Sequence, residues 1–184
     1  MANDTTKVTV GKGKIGGYIY RAPLGTALPT DAVTTLNAAF KCLGYISEDG
    51  VTNSNETDNE TIKDWNGDVV IQVSTGKTDN WSMTLIEAMN VEVLKVAFGD
   101  DNVTGDLENG ITVQANNAAQ AAAEYIFEMI YNGNVLHRVV LPNAYVSEVG
   151  EVTYAAGSAV GFPITLTAAL DSNGQSHYEY FKES

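Results

Sequence analysis

A single cysteine, Cys42, excludes an internal disulfide and any multi-cysteine metal cage, and its apolar surroundings predict an inert core thiol. Bases are scarce: 10 Lys and Arg stand against 23 Asp and Glu, for a formal charge of −13. So acidic a chain lacks the cationic face that displaces counterions from phosphates, which argues against a nucleic-acid grip. No apolar run approaches the roughly 18 to 20 residues that cross a bilayer, and no membrane role is expected. The opening MANDTTKVTVGKGKIGG has lysines without a following apolar stretch, so neither a secretory nor a mitochondrial signal is read there and cytoplasmic synthesis is expected. Only two histidines are available, His137 and His177, and G-x-S-x-G, H-E-x-x-H and C-x-x-C are all missing. His137 falls on the Val135, Val139 and Leu141 side of its segment, where a satisfied core or edge histidine is the expectation. No catalytic residue, cofactor site or metal site is assigned.

Two motif fragments fail on context. Gly11, Gly13 and Gly16 satisfy G-x-G-x-x-G, but Tyr18, Ile19, Tyr20 and Pro23 continue as extended chain, with no helix to meet a pyrophosphate. Asp100-Asp101-Asn102-Val103-Thr104-Gly105 opens like a calcium loop, yet the twelfth position is Ile111 and Glu108 comes too early. A polar turn at a helix exit is the reading preferred for Asp100 to Glu108.

Charge is distributed unevenly. Residues 1–41 hold Lys7, Lys12, Lys14, Arg21 and Lys41 against Asp4 and Asp31, while the remainder holds five bases against 21 acids. Arm and body attract each other, whether within one copy or between copies.

Turn chemistry dominates what is present. Asp49-Gly50, Asn66-Gly67, Asn109-Gly110, Asn132-Gly133 and Asn173-Gly174 supply residues that tolerate the positive φ of tight turns. Strands are predicted at Lys7–Val10, Glu60–Trp65, residues 69–74, Asp79–Ala88, Tyr125–Tyr131, Val135–Leu141, Gly161–Leu170 and Ser176–Phe181, most with period-two alternation. Val91–Phe98 is the best helix, with Asn90 as N-cap, Glu92 in the first turn and Gly99 as the stop. A weaker helical turn is expected at Asp31–Phe40, and Ala115–Ala123 is left open between helix, loop and the start of a strand. Val51–Glu60 is polar throughout and is read as a long exposed loop. Together these predict a mainly β chain: an antiparallel β-sandwich or barrel with one packed α-helix, a long hairpin loop and extended terminal arms.

Several segments in order resemble the major tail tube proteins of long-tailed, non-contractile bacteriophages: VGKGKIGGYIYRAPLGTALPTDA, LGYISEDGV, IKDWNGD, LIEAMNVEVLKVAFGDDNVT, RVVLPNAYVSEVGEVTY and FPITLTAALDSNGQSHYEY. The resemblance implies an arm over 1–29, a single β-sandwich domain over 30–184 and a long loop over 43–65. It further implies hexameric rings that stack into the virion's tail tube, assembled in the host cytoplasm. Tail terminator, baseplate or tip and tape measure proteins would be its partners. DNA would pass through without specific binding, helped by an acidic lumen. Trp65, Asp49, Gly50, Tyr18 and Tyr20 are the candidate assembly contacts, Trp65 because a large apolar group at a loop tip gains a monomer little. Glu124 and Glu128 are candidate lumen acids, since they share a strand face with Ile126 and Ile130. Another phage or secretion-system β-sandwich assembly protein, or a small ligand-binding β-sandwich, is the alternative.

Overall fold

Eleven strands and one helix follow from the turn residues and the alternation between them in the computed structural model, which describes residues 3–132 and 134–184. The strands are β1 Gly11–Gly13, β2 Ile19–Pro23, β3 Lys41–Cys42, β4 Ile46–Lys63, β5 Val69–Leu85, β6 Val103–Asp106, β7 Gly110–Val113, β8 Ala123–Tyr131, β9 Val135–Val149, β10 Phe162–Ala168 and β11 Tyr178–Glu183; α1 is Val91–Phe98. Every pairing among them is antiparallel.

Nine strands form one sheet in the order β3-β2-β8-β9-β10-β5-β4, with β1 also on β8 and β11 also on β9. The fifteen-residue β9 is its hub. One edge of β9 follows β8, while the other serves β11 as far as Val140 and β10 from Ala144. Pro142 falls in the handover between those two partners, where its missing N–H costs no ladder bond.

The sheet curls over a single core, so that Trp81 of β5 stacks on Phe127 of β8 at 5.3 Å although β9 and β10 separate their strands. Ile19, Leu43, Met83, Leu85, Tyr125, Val139, Leu141, Ile164 and Leu166 complete the enclosed face. Helix α1 closes one end against β6, β7 and β9. Asn90 Oδ1 accepts the Glu92 N–H at 3.0 Å, and Gly99 at φ 96° ends the helix, as expected. Its buried stripe is Val93, Leu94, Val96 and Ala97, flanked by the half-buried Val91 and Phe98.

Four expectations need correction. Residues 51–60 are not a loop: they are the middle of β4, paired residue by residue with β5. Asp49-Gly50 is no hairpin turn but part of an irregularity in β4, between the pairs Ile46↔Leu85 and Val51↔Met83, with Gly50 at φ 74°. The first strand lies at Gly11–Gly13, and Thr5–Lys7 is a 3-10 turn. Asp31–Phe40 forms no helix, because Asp31 Oδ1 captures the Val33 and Thr34 N–H groups and Asn37 Oδ1 the Ala39 N–H, offering the backbone local partners that compete with a helical ladder. Ala115 to Ala122 runs without regular structure and β8 starts at Ala123. The Asn66-Gly67 and Asn109-Gly110 turns form as expected. Asn132 takes φ 47°, whereas Gly133 lies outside the described residues.

Candidate assembly surfaces

Pairing β8 with β9 sets Glu128 opposite Arg138 on the face away from the main core. Arg138 Nε donates to Glu128 Oε1 at 2.8 Å and its Nη2 donates to the same oxygen, while Nη1 donates to the backbone oxygens of Asp31 and Thr34 at 2.8 and 2.9 Å. Lys14 closes the network through Glu128 Oε2 at 2.6 Å. The segment between β2 and β3 covers it, with Leu28, Leu36 and Phe40 packing on Ala22, Ile126 and Val140. A fully paired network of this kind ties the N-terminal arm to the sheet. A second cross-link joins Arg21 to both carboxylate oxygens of Asp100 at 2.6 and 2.7 Å. The attraction between basic arm and acidic body is thus realised within one copy.

The same cover buries both lumen candidates. Glu128 is 5% exposed and neutralised by Arg138 and Lys14. Glu124 is 3% exposed; its Oε1 accepts the Gly25 N–H at 2.8 Å, and burial pushes its carboxyl above the usual range. Neither carboxylate faces solvent, because the segment between β2 and β3, residues 24–40, lies across their face.

An exposed apolar stripe lies at the far end of the β4–β5 hairpin. Asp64 Oδ1 accepts the N–H groups of Asn66 and Asp68, both at 2.9 Å, and Gly67 at φ 90° completes the turn. Residues 55–77 are exposed on both faces. Ile62 stands opposite Ile71 and shares its pleat face with Val73, with Val69 close by across an irregular register, a stripe that is 46–57% exposed. At the tip, Trp65 is as exposed as in an extended chain. A two-stranded ribbon without a further layer is marginal in water, so this stripe has no stabilising role within one copy.

The five assembly candidates do not converge. Tyr18, Asp49 and Gly50 line one groove of about 400 Å³ with β1 and the edge of β8. Tyr20 packs on the far side of the sheet beside Ala22, Phe40, Ile126 and Val140. Trp65 sits on a separate projection: from Val51 to Lys63, β4 advances about 40 Å at 3.3 Å per residue. The residues that reading the sequence missed are Arg138 and the outer apolar stripe. A hairpin turned at residues 132–134 already places Glu128 across from Arg138, so the first was accessible from register.

Two polar clusters resemble chemistry without its geometry. Asp79, 2% exposed, accepts from Ser176 Oγ at 2.6 Å and Asn53 Nδ2 at 2.7 Å, and lies 2.5 Å from His177 Nδ1. Ser176 and Asp79 both meet the same ring nitrogen, whereas a nucleophilic relay needs the serine on one nitrogen and the carboxylate on the other. The cluster joins β5, β4 and the approach to β11. His137 is stacked on Phe181 at 4.1 Å with Nε2 2.9 Å from Glu179, and burial holds its pKa below the ordinary value; it is a core histidine, but only half satisfied, because its Nδ1 is buried without a partner. Asp100 is committed to Arg21, and no group of three or more metal-ligating side chains occurs among the described residues. No helix is long and apolar enough to cross a membrane.

A family model described as phage tail tube protein matches residues 1–184. None of the curated proteins matches the chain.

Proposed function

The chain belongs to the phage tail tube protein family, which makes it a structural component of a virion tail, and from that premise we propose that it assembles as hexameric rings stacked into a tube through which DNA leaves. The projecting β4–β5 hairpin carries this reading. Its outer half exposes Ile62, Trp65, Val69, Val70, Ile71 and Val73, an apolar area that a monomer has no use for and that a neighbouring copy would cover.

Charge supports the conduit. The body's acid excess is mostly at the surface, with Asp79, Glu124 and Glu128 the buried exceptions, so a lumen lined by this chain repels phosphates and lets DNA slide. The tube interior would draw its acids from the exposed set rather than from Glu124 or Glu128. A tail terminator, a tip or baseplate and a tape measure protein would complete the tail at the tube's ends and within its bore. The non-contractile type of tail fits the same reading.

Negative-stain electron microscopy of the purified protein at high concentration, with light scattering alongside, tests the proposal. Rings or tubes of uniform width with a central channel are expected. A species that stays monomeric at every concentration, and in the presence of preformed tail tips, contradicts it.

A further inference from the structure

The hairpin tip is a projecting apolar group, and a second surface of the molecule is concave. Between the arm and the base of the hairpin lies an open groove of about 450 Å³ lined by Gly13, Ile15, Gly16, Gly17, Tyr18, Cys42, Gly44, Tyr45 and Glu87. Its floor is bare because its glycines carry no side chain. Gly17 and Gly44 cannot carry one, since a Cβ there would collide with the Tyr20 hydroxyl and the Glu87 carboxylate, and their φ values are 145° and 76°. Tyr18 and Tyr45 form the walls, edge to face at 5.7 Å. Ile15, 92% exposed, and Tyr45, 61% exposed, stand at the rim.

We propose that this groove receives Trp65 of a second copy. The inference rests on the tube reading and names the surfaces that meet within it. Trp65 is a flat apolar group held out on a turn that Asp64 and Gly67 fix. Because the groove includes Tyr45, next to the start of β4, the tip lies beyond it by more than the roughly 40 Å that β4 spans from Val51 to Lys63, and cannot fold back into its own copy's groove. Glu87 supplies the polar contact an indole needs. Its two oxygens accept only the Tyr45 N–H at 3.1 Å and the Asn90 amide at 3.0 Å, leaving lone pairs for an N–H donor. At the tip Asp58, Glu60, Asp64 and Asp68 stand with Lys63, and Lys12 is exposed next to Gly13 at the groove's edge. Knob and groove are different surfaces of one chain, so each copy offers one of each, and the contact propagates as rings or stacks rather than ending at a dimer.

The test is a disulfide across the contact. Ile15→Cys at the groove rim and Asn66→Cys beside the knob are carried together in a Cys42→Ser background, and the assembled protein is oxidised. A ladder of cross-linked species beyond the dimer is expected, absent from either single-cysteine variant and lost when Trp65→Ala is added. Trp65→Phe, which keeps the ring and loses the donor, should retain a weakened ladder. Tubes or rings that form without a ladder, or with a dimer alone, overturn the pairing while leaving the tube reading intact. Failure of the unmodified chain to assemble at all overturns both.

Discussion

One strand, β5, behaves in two ways along its length. From Asp79 to Leu85 it has β4 on one edge and β10 on the other, and Trp81, Met83 and Leu85 are buried. From Val69 to Thr78 it has β4 alone, and Val69, Ile71 and Val73 are exposed. Both stretches alternate apolar and polar side chains. The inner half is covered by its own chain because β10 begins its ladder at Ala168↔Asp79, and the outer half projects past that point. Alternation therefore marks a face that needs a cover, and the third strand decides whether the cover is internal.

Changes in the covered region should unfold the subunit, and changes in the projecting region should leave it folded. The largest effect is expected from Phe127→Ala, which removes the ring stacked on Trp81 and should cost about 3–5 kcal/mol in denaturant unfolding. Arg138→Ala follows: it leaves buried Glu128 with Lys14 as its remaining charge partner and takes the donor from the Asp31 and Thr34 carbonyls, at about 3 kcal/mol, and should open the segment between β2 and β3 to proteolysis. Asn90→Ala loses the α1 cap and should cost about 1 kcal/mol.

pH sharpens the same contrast. His137 is held neutral by burial, so the unfolded chain binds its proton first as pH falls below 6.5. The fold should therefore lose stability on acidification from that point, until the lower folded-state pKa is passed, and His137→Gln should flatten this slope. Asp31 acts in the same direction in a lower window: with its pKa lowered to about 2 by the Thr34 and Val33 groups it accepts from, its contribution is complete above 3.8 and disappears as pH falls towards 2. Smallest of all on stability is Trp65→Ala, expected within about 0.5 kcal/mol of the parent chain because its side chain touches nothing that folding buries. Its effect should appear in assembly.

What the sequence made legible follows this division. The α1 caps, the Asn66-Gly67 turn and the alternation of Trp81, Met83 and Leu85 were readable because each is a local signal with a local cause. β4 was not, since a strand exposed on both faces needs no alternation; its pairing with β5 creates it, and VTNSNETDNE looks like a loop to any reading of hydrophobic period. The burial of Glu124 and Glu128 was illegible for a related reason. Their face alternates them with Ile126 and Ile130, and residues 24–40 fold across it, an irregular cover that carries no periodic signature. Trp65 stands out at a turn in sequence and structure alike, while the groove between Tyr18 and Tyr45 joins segments more than twenty residues apart and had no local signal.

Amide hydrogen exchange, measured on the subunit before and after assembly, tests the division between a self-sufficient body and a hairpin completed by a neighbour. The account predicts slow exchange in β8 and β9 in both states, and fast exchange across residues 59–74 that becomes slow only in the tube. Equal exchange of the hairpin in the free and assembled states would contradict it.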